Sequence, residues 1–235
     1  MRYWLLLFCL FILQWADAQL LKVCLQHTVN GQPVVLGKTN YQNAAGDTFN
    51  ITKFQYYLSN FSLTDSSGKI VKLSSECFLI KEGDEASKKL SFTNLPAGQY
   101  KSISFMVGVD SLLNCTGAQN GSLDPINGMF WTWNSGYIMM KLEGTSPSSH
   151  LPEHMIQFHI GGYRAPHMTQ RWITLPLSVP VKSGQLILRL NADIAILLNG
   201  ISFRQSAGFM TPGTAADKIA DNYQHMFSVG WHNNN

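Results

Sequence analysis

Charge is what this chain has least of. Only 13% of its 235 residues are Asp, Glu, Lys or Arg, and 17 basic against 14 acidic side chains leave a formal net charge of +3. With no Lys/Arg run, that balance is too mild to argue for nucleic acid. Catalytic signatures are missing as well. There is no HExxH or CxxC to support a zinc protease or zinc ribbon, and no GxSxG elbow, P-loop or GxGxxG. No heptad or internal repeat is present, and nothing after residue 18 is long and apolar enough for a membrane helix. A hydrolase built on His159 with Asp110 or Asp124 has only residue types in its support.

What is present begins with an address. Arg2 supplies a short positive region, Leu5 to Leu13 an apolar run too short to span a bilayer, and Ala16-Asp17-Ala18 an A-x-A cleavage signature. Residues 1–18 therefore read as a signal peptide, and the mature chain, starting at Gln19, as exported to a periplasm or the outside. Cys9 follows Phe8 rather than a small residue, so no lipid anchor is expected. Three cysteines survive processing, Cys24, Cys77 and Cys115. One pair plus a free thiol, or no disulfide, fits that odd number, and spacing does not choose.

The mature chain, residues 19–235, carries no linker that would mark a boundary and reads as one domain. Strand-like runs alternate with turn signals: Leu20 to Thr28, then Asn30-Gly31 and a short return through Val34 and Val35, then Thr48 to Leu63, Ile70 to Leu73, Cys77 to Lys81 and Lys89 to Phe92. Further runs cover Gln99 to Val109, Met129 to Leu142, His154 to Ile160, Trp172 to Val179 and Gln185 to Asp193. So many short strands predict an all-β fold, a single antiparallel β-sandwich. Two stretches break the pattern. Val109 to Asn127 is a long polar connection, and Thr211 to Phe227 holds a short C-terminal helix with Thr214 as its cap.

The costliest side chains are concentrated in Leu123 to Glu143. After the Asp124-Pro125 and Asn127-Gly128 turns, Met129, Trp131, Trp133 and Ser135 fall on one side of an extended strand, and Gly136 marks a bulge or a close backbone approach. Two tryptophans and a methionine at period two ordinarily fill a sandwich core. Histidine and methionine beside aromatics in an exported chain also suit copper. The candidate ligands are His159, at a strand end before Gly161-Gly162, His27, at the end of the first strand, His225, on the C-terminal helix, and Met129. His150, His154, His167 and His232 sit in turn-rich or terminal sequence and read as solvated. The competing reading is an extracellular carbohydrate-binding module with Trp131, Trp133 and Tyr137 as an aromatic platform.

Four stretches carry a family pattern: YYLSNFSL, the block Leu95 to Asn114, Met129 to Gly144, and FHIGG from Phe158 to Gly162. The most specific is Met-x-Trp-x-Trp-x-x-Gly-Tyr, matched by Met129, Trp131, Trp133, Gly136 and Tyr137. On these the chain resembles the MbnP-like exported copper-binding family. The resemblance implies a non-enzymatic β-sandwich in copper acquisition or storage, with copper held by histidine and by a kynurenine made from tryptophan by a dihaem, peroxidase-like partner. It maps the family's ligand histidine to His159 and the oxidised residue to Trp131 or Trp133. Asn114-Cys115 stands where the family has Asn-His, so this is a divergent branch, in which either His27 and His225 replace the lost ligand or copper is not bound.

Overall fold

The computed structural model describes residues 19–132, 135–181 and 185–230. The expected signal peptide, Trp133 and His232 lie outside them.

The strand Thr48–Asp65 runs through the larger of the two sheets that form the sandwich; a separate two-stranded ribbon pairs Tyr163–Arg164 with His167–Met168. Phe54, Tyr56 and Leu58 of the long strand face the interior, while Tyr57 points to the opposite face, as period-two geometry requires. Continued alternation would turn Phe61 outward. Instead Asn60 takes a left-handed conformation, φ 55°, and the pairing slips between Ser59 and Ser62. The bulge returns Phe61 and Leu63 to the core.

Across this sheet the order is Arg171–Val181, Gly98–Val107, Thr48–Asp65, Gly136–Thr145, Met155–Gly161 and Gly208–Phe209, with short strands such as Phe78–Lys81 and Phe130–Thr132 added at its sides. The smaller sheet places Gln19–Val29 beside Gln185–Asp193, with Lys89–Leu95, Gln32–Pro33 and Phe227–Gly230 completing it. Leu21, Val23, Leu188 and Leu190 from the small sheet share one core with Tyr56, Phe105, Leu142 and Phe158 from the large one. Phe61 stacks on Phe105 at 5.3 Å and meets Phe92 of the other sheet at 5.1 Å, so aromatic pairs bridge the layers.

The all-β sandwich is thus present, but the sheets are mixed, not antiparallel throughout. Gln19–Val29 runs parallel to Gln185–Asp193, and Met155–Gly161 parallel to Gly208–Phe209. Alternation of apolar residues fixes which face is buried and is silent on strand direction; the first strand's parallel neighbour lies at the far end of the chain. The helix forms at Thr214–Tyr223 and buries Ala216, Ile219, Ala220 and Tyr223. Its cap position is Gly213 rather than Thr214, which is the first helical residue. Two shorter helices, Ser111–Cys115 and Ile194–Leu197, accompany it. Among the described residues, no helix is long and apolar enough to cross a membrane, and Cys24, Cys77 and Cys115 are all free thiols.

The run expected as one strand from Met129 to Leu142 is a hairpin of two, Phe130–Thr132 and Gly136–Thr145. Gly136 sits at φ 75°, and a β-carbon there would lie 2.5 Å from Asn114 Oδ1, so the expected close approach is real. The long connection from Val109 folds back over the outer face of the large sheet. Val109, Leu113, Leu123 and Met129 cover Tyr57, Leu79, Tyr137 and Met139 in a second, smaller core. Polar ties hold it down: Tyr57 Oη donates to the Ser122 carbonyl at 2.9 Å, Tyr137 Oη to the Leu123 carbonyl at 2.8 Å, and Ser122 Oγ to the Cys77 carbonyl at 2.5 Å.

Candidate functional site

Beside this second core, four neighbouring strands lay a polar lane across the outer face of the large sheet. His159 is paired with Lys141, Lys141 with Gln55, and Gln55 with Lys81. Their chain neighbours Ile160, Leu142, Tyr56 and Ile80 are buried in the main core, which puts these four side chains on the other side. One row along, His159 Nε2 lies 2.8 Å from Glu143 Oε1, and Lys53 Nζ lies 3.1 Å from Glu143 Oε2. The His159 hydrogen bond first, and the Lys53 ammonium after it, hold the Glu143 carboxyl down at about 2. Nε2 is taken up by the carboxylate, and Nδ1 has no hydrogen-bond partner among the described residues; in a neutral ring donating through Nε2, Nδ1 is the nitrogen with the lone pair. A carboxylate steadying the far nitrogen is the usual support for a metal-binding imidazole.

Trp131 reaches the same corner. It is half-buried, and its indole lies so close on Gly161 that a β-carbon there would be 2.6 Å from Cζ3. Gly161 is two residues beyond His159 on the same strand face, about 7 Å along the chain. Side-chain-free Gly161 therefore lets the tryptophan strand settle beside the histidine. Of the six residues singled out, these two come together; Trp133 lies outside the described residues.

The other three do not join them. His27 is 2% exposed, with Nδ1 2.5 Å from Glu82 Oε2 and Nε2 2.8 Å from the Tyr56 hydroxyl. Both nitrogens are committed, and burial pushes its imidazole below the ordinary value, so it is a satisfied core histidine. His225 is exposed in the turn after the C-terminal helix. Met129 is fully buried against Tyr57, Tyr137 and Met139, where its thioether is apolar filling. Tyr137 is also wholly buried and cannot serve as a sugar-stacking platform. Asp110 and Asp124 are spent on local turns, accepting from the Leu112 and Ile126 amides.

Sequence reasoning missed three participants. Glu143 is His159's partner, and Lys141 and Lys81 pin the turn that launches the tryptophan strand. Lys141 is 7% exposed and donates to the Gly128 carbonyl at 2.5 Å; Lys81 donates to Asn127 Oδ1 at 2.8 Å. Desolvation pushes the Lys141 ammonium below its ordinary value. The available signal was a lysine embedded in the run Tyr137 to Leu142, whose every other member is apolar. His167, read as solvated, is half-buried and 2.7 Å from Asp217 on the C-terminal helix.

Among the described residues no group of three or more His, Cys, Asp or Glu converges as a metal centre. The corner offers one free imidazole nitrogen, an indole and a buried ammonium, and that donor set does not fit copper as the chain stands.

These features define a two-sheet β-sandwich with a covered outer face and one carboxylate-held imidazole beside a tryptophan. A family model described as MbnP matches residues 18–212, and the chain belongs to the MbnP family. MbnP from Methylosinus trichosporium has the same fold, with a TM-score of 0.63 at 15% identity, over 91% of this chain and 98% of that one. No curated protein matches the sequence.

Proposed function

We propose that this chain is an exported, non-enzymatic, copper-associated protein of the MbnP family, acting in copper acquisition or storage, and that the His159 corner becomes able to engage the metal only once a neighbouring tryptophan has been converted to a ligand. One observation carries the reading: His159 is anchored by Glu143 through Nε2 with Nδ1 uncommitted, next to the glycine on which Trp131 rests. Conversion of Trp131 or Trp133 to kynurenine by a dihaem partner, the expectation drawn from family resemblance, would replace a donor-only indole with an aryl amine and a ketone. Trp131 rests on Gly161, two residues beyond His159, and is only half-buried.

The test is a metal assay on protein purified from its own host. It is expected to hold about one copper ion, and His159→Ala to weaken binding by roughly tenfold or more. Intact-mass and peptide analysis of the same preparation is expected to show a gain of about 4 Da, one carbon lost and one oxygen gained, at Trp131 or Trp133. Equal copper affinity in wild type and His159→Ala removes the corner from the proposal. Unmodified tryptophan peptides from the native source remove the kynurenine.

A further inference from the structure

A cleft of about 330 Å³ opens where the first strand, Gln19–Val29, runs on past the end of its pairing with Lys89–Leu95. The turn at residues 82–88 forms one flank, tied to the strand by the Leu25 N–H, which donates to the Lys88 carbonyl at 2.8 Å. Arg189 forms the other flank, paired with Cys24 on the parallel neighbour. Leu25, Pro33 and Val34 give the space between them an apolar wall.

The acidic flank is built rather than merely exposed. His27 Nδ1 lies 2.5 Å from Glu82 Oε2, and the buried Lys88 ammonium donates to the same oxygen at 3.1 Å and to Glu85 Oε1 at 2.6 Å. Burial works to raise the Glu82 carboxyl, but the His27 hydrogen bond and the Lys88 ammonium outweigh it and hold the group below its ordinary value, so it is ionised at neutral pH. The Glu82 side chain is only 10% exposed, yet its Oε1 accepts from nothing among the described residues. An internal ion-pair network ordinarily closes on itself, because an uncompensated buried charge is costly. This one leaves a carboxylate oxygen open to the cleft on one flank, and on the other a guanidinium with no carboxylate partner among the described residues.

We propose that this cleft binds a small zwitterion of the amino-acid class. Its ammonium is received by Glu82 Oε1 and the second oxygen of Glu85, its carboxylate by Arg189, and its side chain by Leu25, Pro33 and Val34. Charge selects the class. Glu82 and Glu85 balance Lys88 and Arg189, and burial pushes the His27 imidazole below its ordinary value, which keeps it neutral, so a purely anionic or purely cationic ligand loses on one flank what it gains on the other. The volume lies at the small end of ligand sites, where one amino acid fits. None of these residues belongs to the His159 corner, so this site and the copper reading stand or fall separately.

The experiment is calorimetric titration of the mature chain with L-leucine, L-methionine and L-alanine, and with N-acetyl-L-leucine and L-leucinamide, each of which lacks one of the two charges. L-Leucine is expected to bind, and both derivatives to bind about tenfold or more weakly, the scale of one hydrogen bond to a charged group. Arg189→Gln is expected to weaken L-leucine by a similar factor and to leave L-leucinamide, which has no carboxylate, unaffected. Glu85→Gln is expected to weaken L-leucine and to leave N-acetyl-L-leucine unaffected. No binding by any of the three amino acids overturns the site, as does binding that is indifferent to either lost charge or to Arg189→Gln. Glu82→Gln is expected to abolish binding, with its fold checked by a melting curve; Arg189→Gln and Glu85→Gln, both at exposed positions, decide the matter where it does not fold.

Discussion

Glu143→Gln isolates the charge that holds His159 in place. In the folded protein this carboxyl lies at about 2 against an ordinary 4.5, and its side chain is 20% exposed. The difference corresponds to about 3 kcal/mol of folding stability at neutral pH. Lys53, half exposed, supplies the part of this that salt will screen. Because the folded value is depressed, the contribution is complete above the unfolded value of 4.5 and is lost as pH falls from there toward 2. Thermal unfolding of wild type and Glu143→Gln, followed by circular dichroism from pH 7 down to pH 2, is therefore expected to show a gap of roughly 6–12 °C at neutral pH. That gap closes across the acid window as wild-type Glu143 takes up its own proton. A gap that stays constant from pH 7 to pH 3, or none at pH 7, refutes the reasoning that Glu143 is charged and paired with His159.

His27→Leu leaves the Tyr56 hydroxyl without a partner and the Glu82 carboxylate with Lys88 alone, and removing one member of such a buried set costs about 3–5 kcal/mol. Denaturant unfolding is expected to show that loss while copper affinity stays at the wild-type value; a large loss of affinity at unchanged stability would make His27 a ligand. Thiol titration with a chromogenic disulfide is expected to find three reactive groups in the unfolded mature chain. In the native protein exposed Cys115 reacts first and Cys77, buried and pushed up to about 11, last. Fewer than three thiols after unfolding would reveal a disulfide.

Strand positions and the family pattern were legible because they depend on local composition. Thr48 to Leu63 announces itself by β-branched and aromatic residues, and the Met129-to-Tyr137 motif is contiguous. What sits beside what was not legible, because register between strands is set by features that leave no compositional trace. The slip at Asn60 and the shift between Ile138 and Met140 decide which side chains share a row. Glu143 and His159, 16 residues apart, meet through that pairing. His27 illustrates the converse. Its position at a strand end before a turn suits a ligand as well as a core residue, and the partners that occupy both its nitrogens, Tyr56 and Glu82, come from a distant strand and from the turn after Phe78–Lys81.

The polar lane is difficult to explain as a stabilising device. It borders an apolar cluster formed by Tyr57, Met129, Tyr137 and Met139. Apolar side chains at the lane positions would extend that cluster without the desolvation cost of burying an ammonium. Lys141 does supply one structural service, its hydrogen bond to the Gly128 carbonyl, but a neutral donor supplies that equally well. Lys141→Gln keeps the donor and removes the desolvated charge, so thermal unfolding is expected to show an unchanged or slightly raised melting temperature; a large loss of stability would show that the ammonium itself is what ties the turn to the sheet.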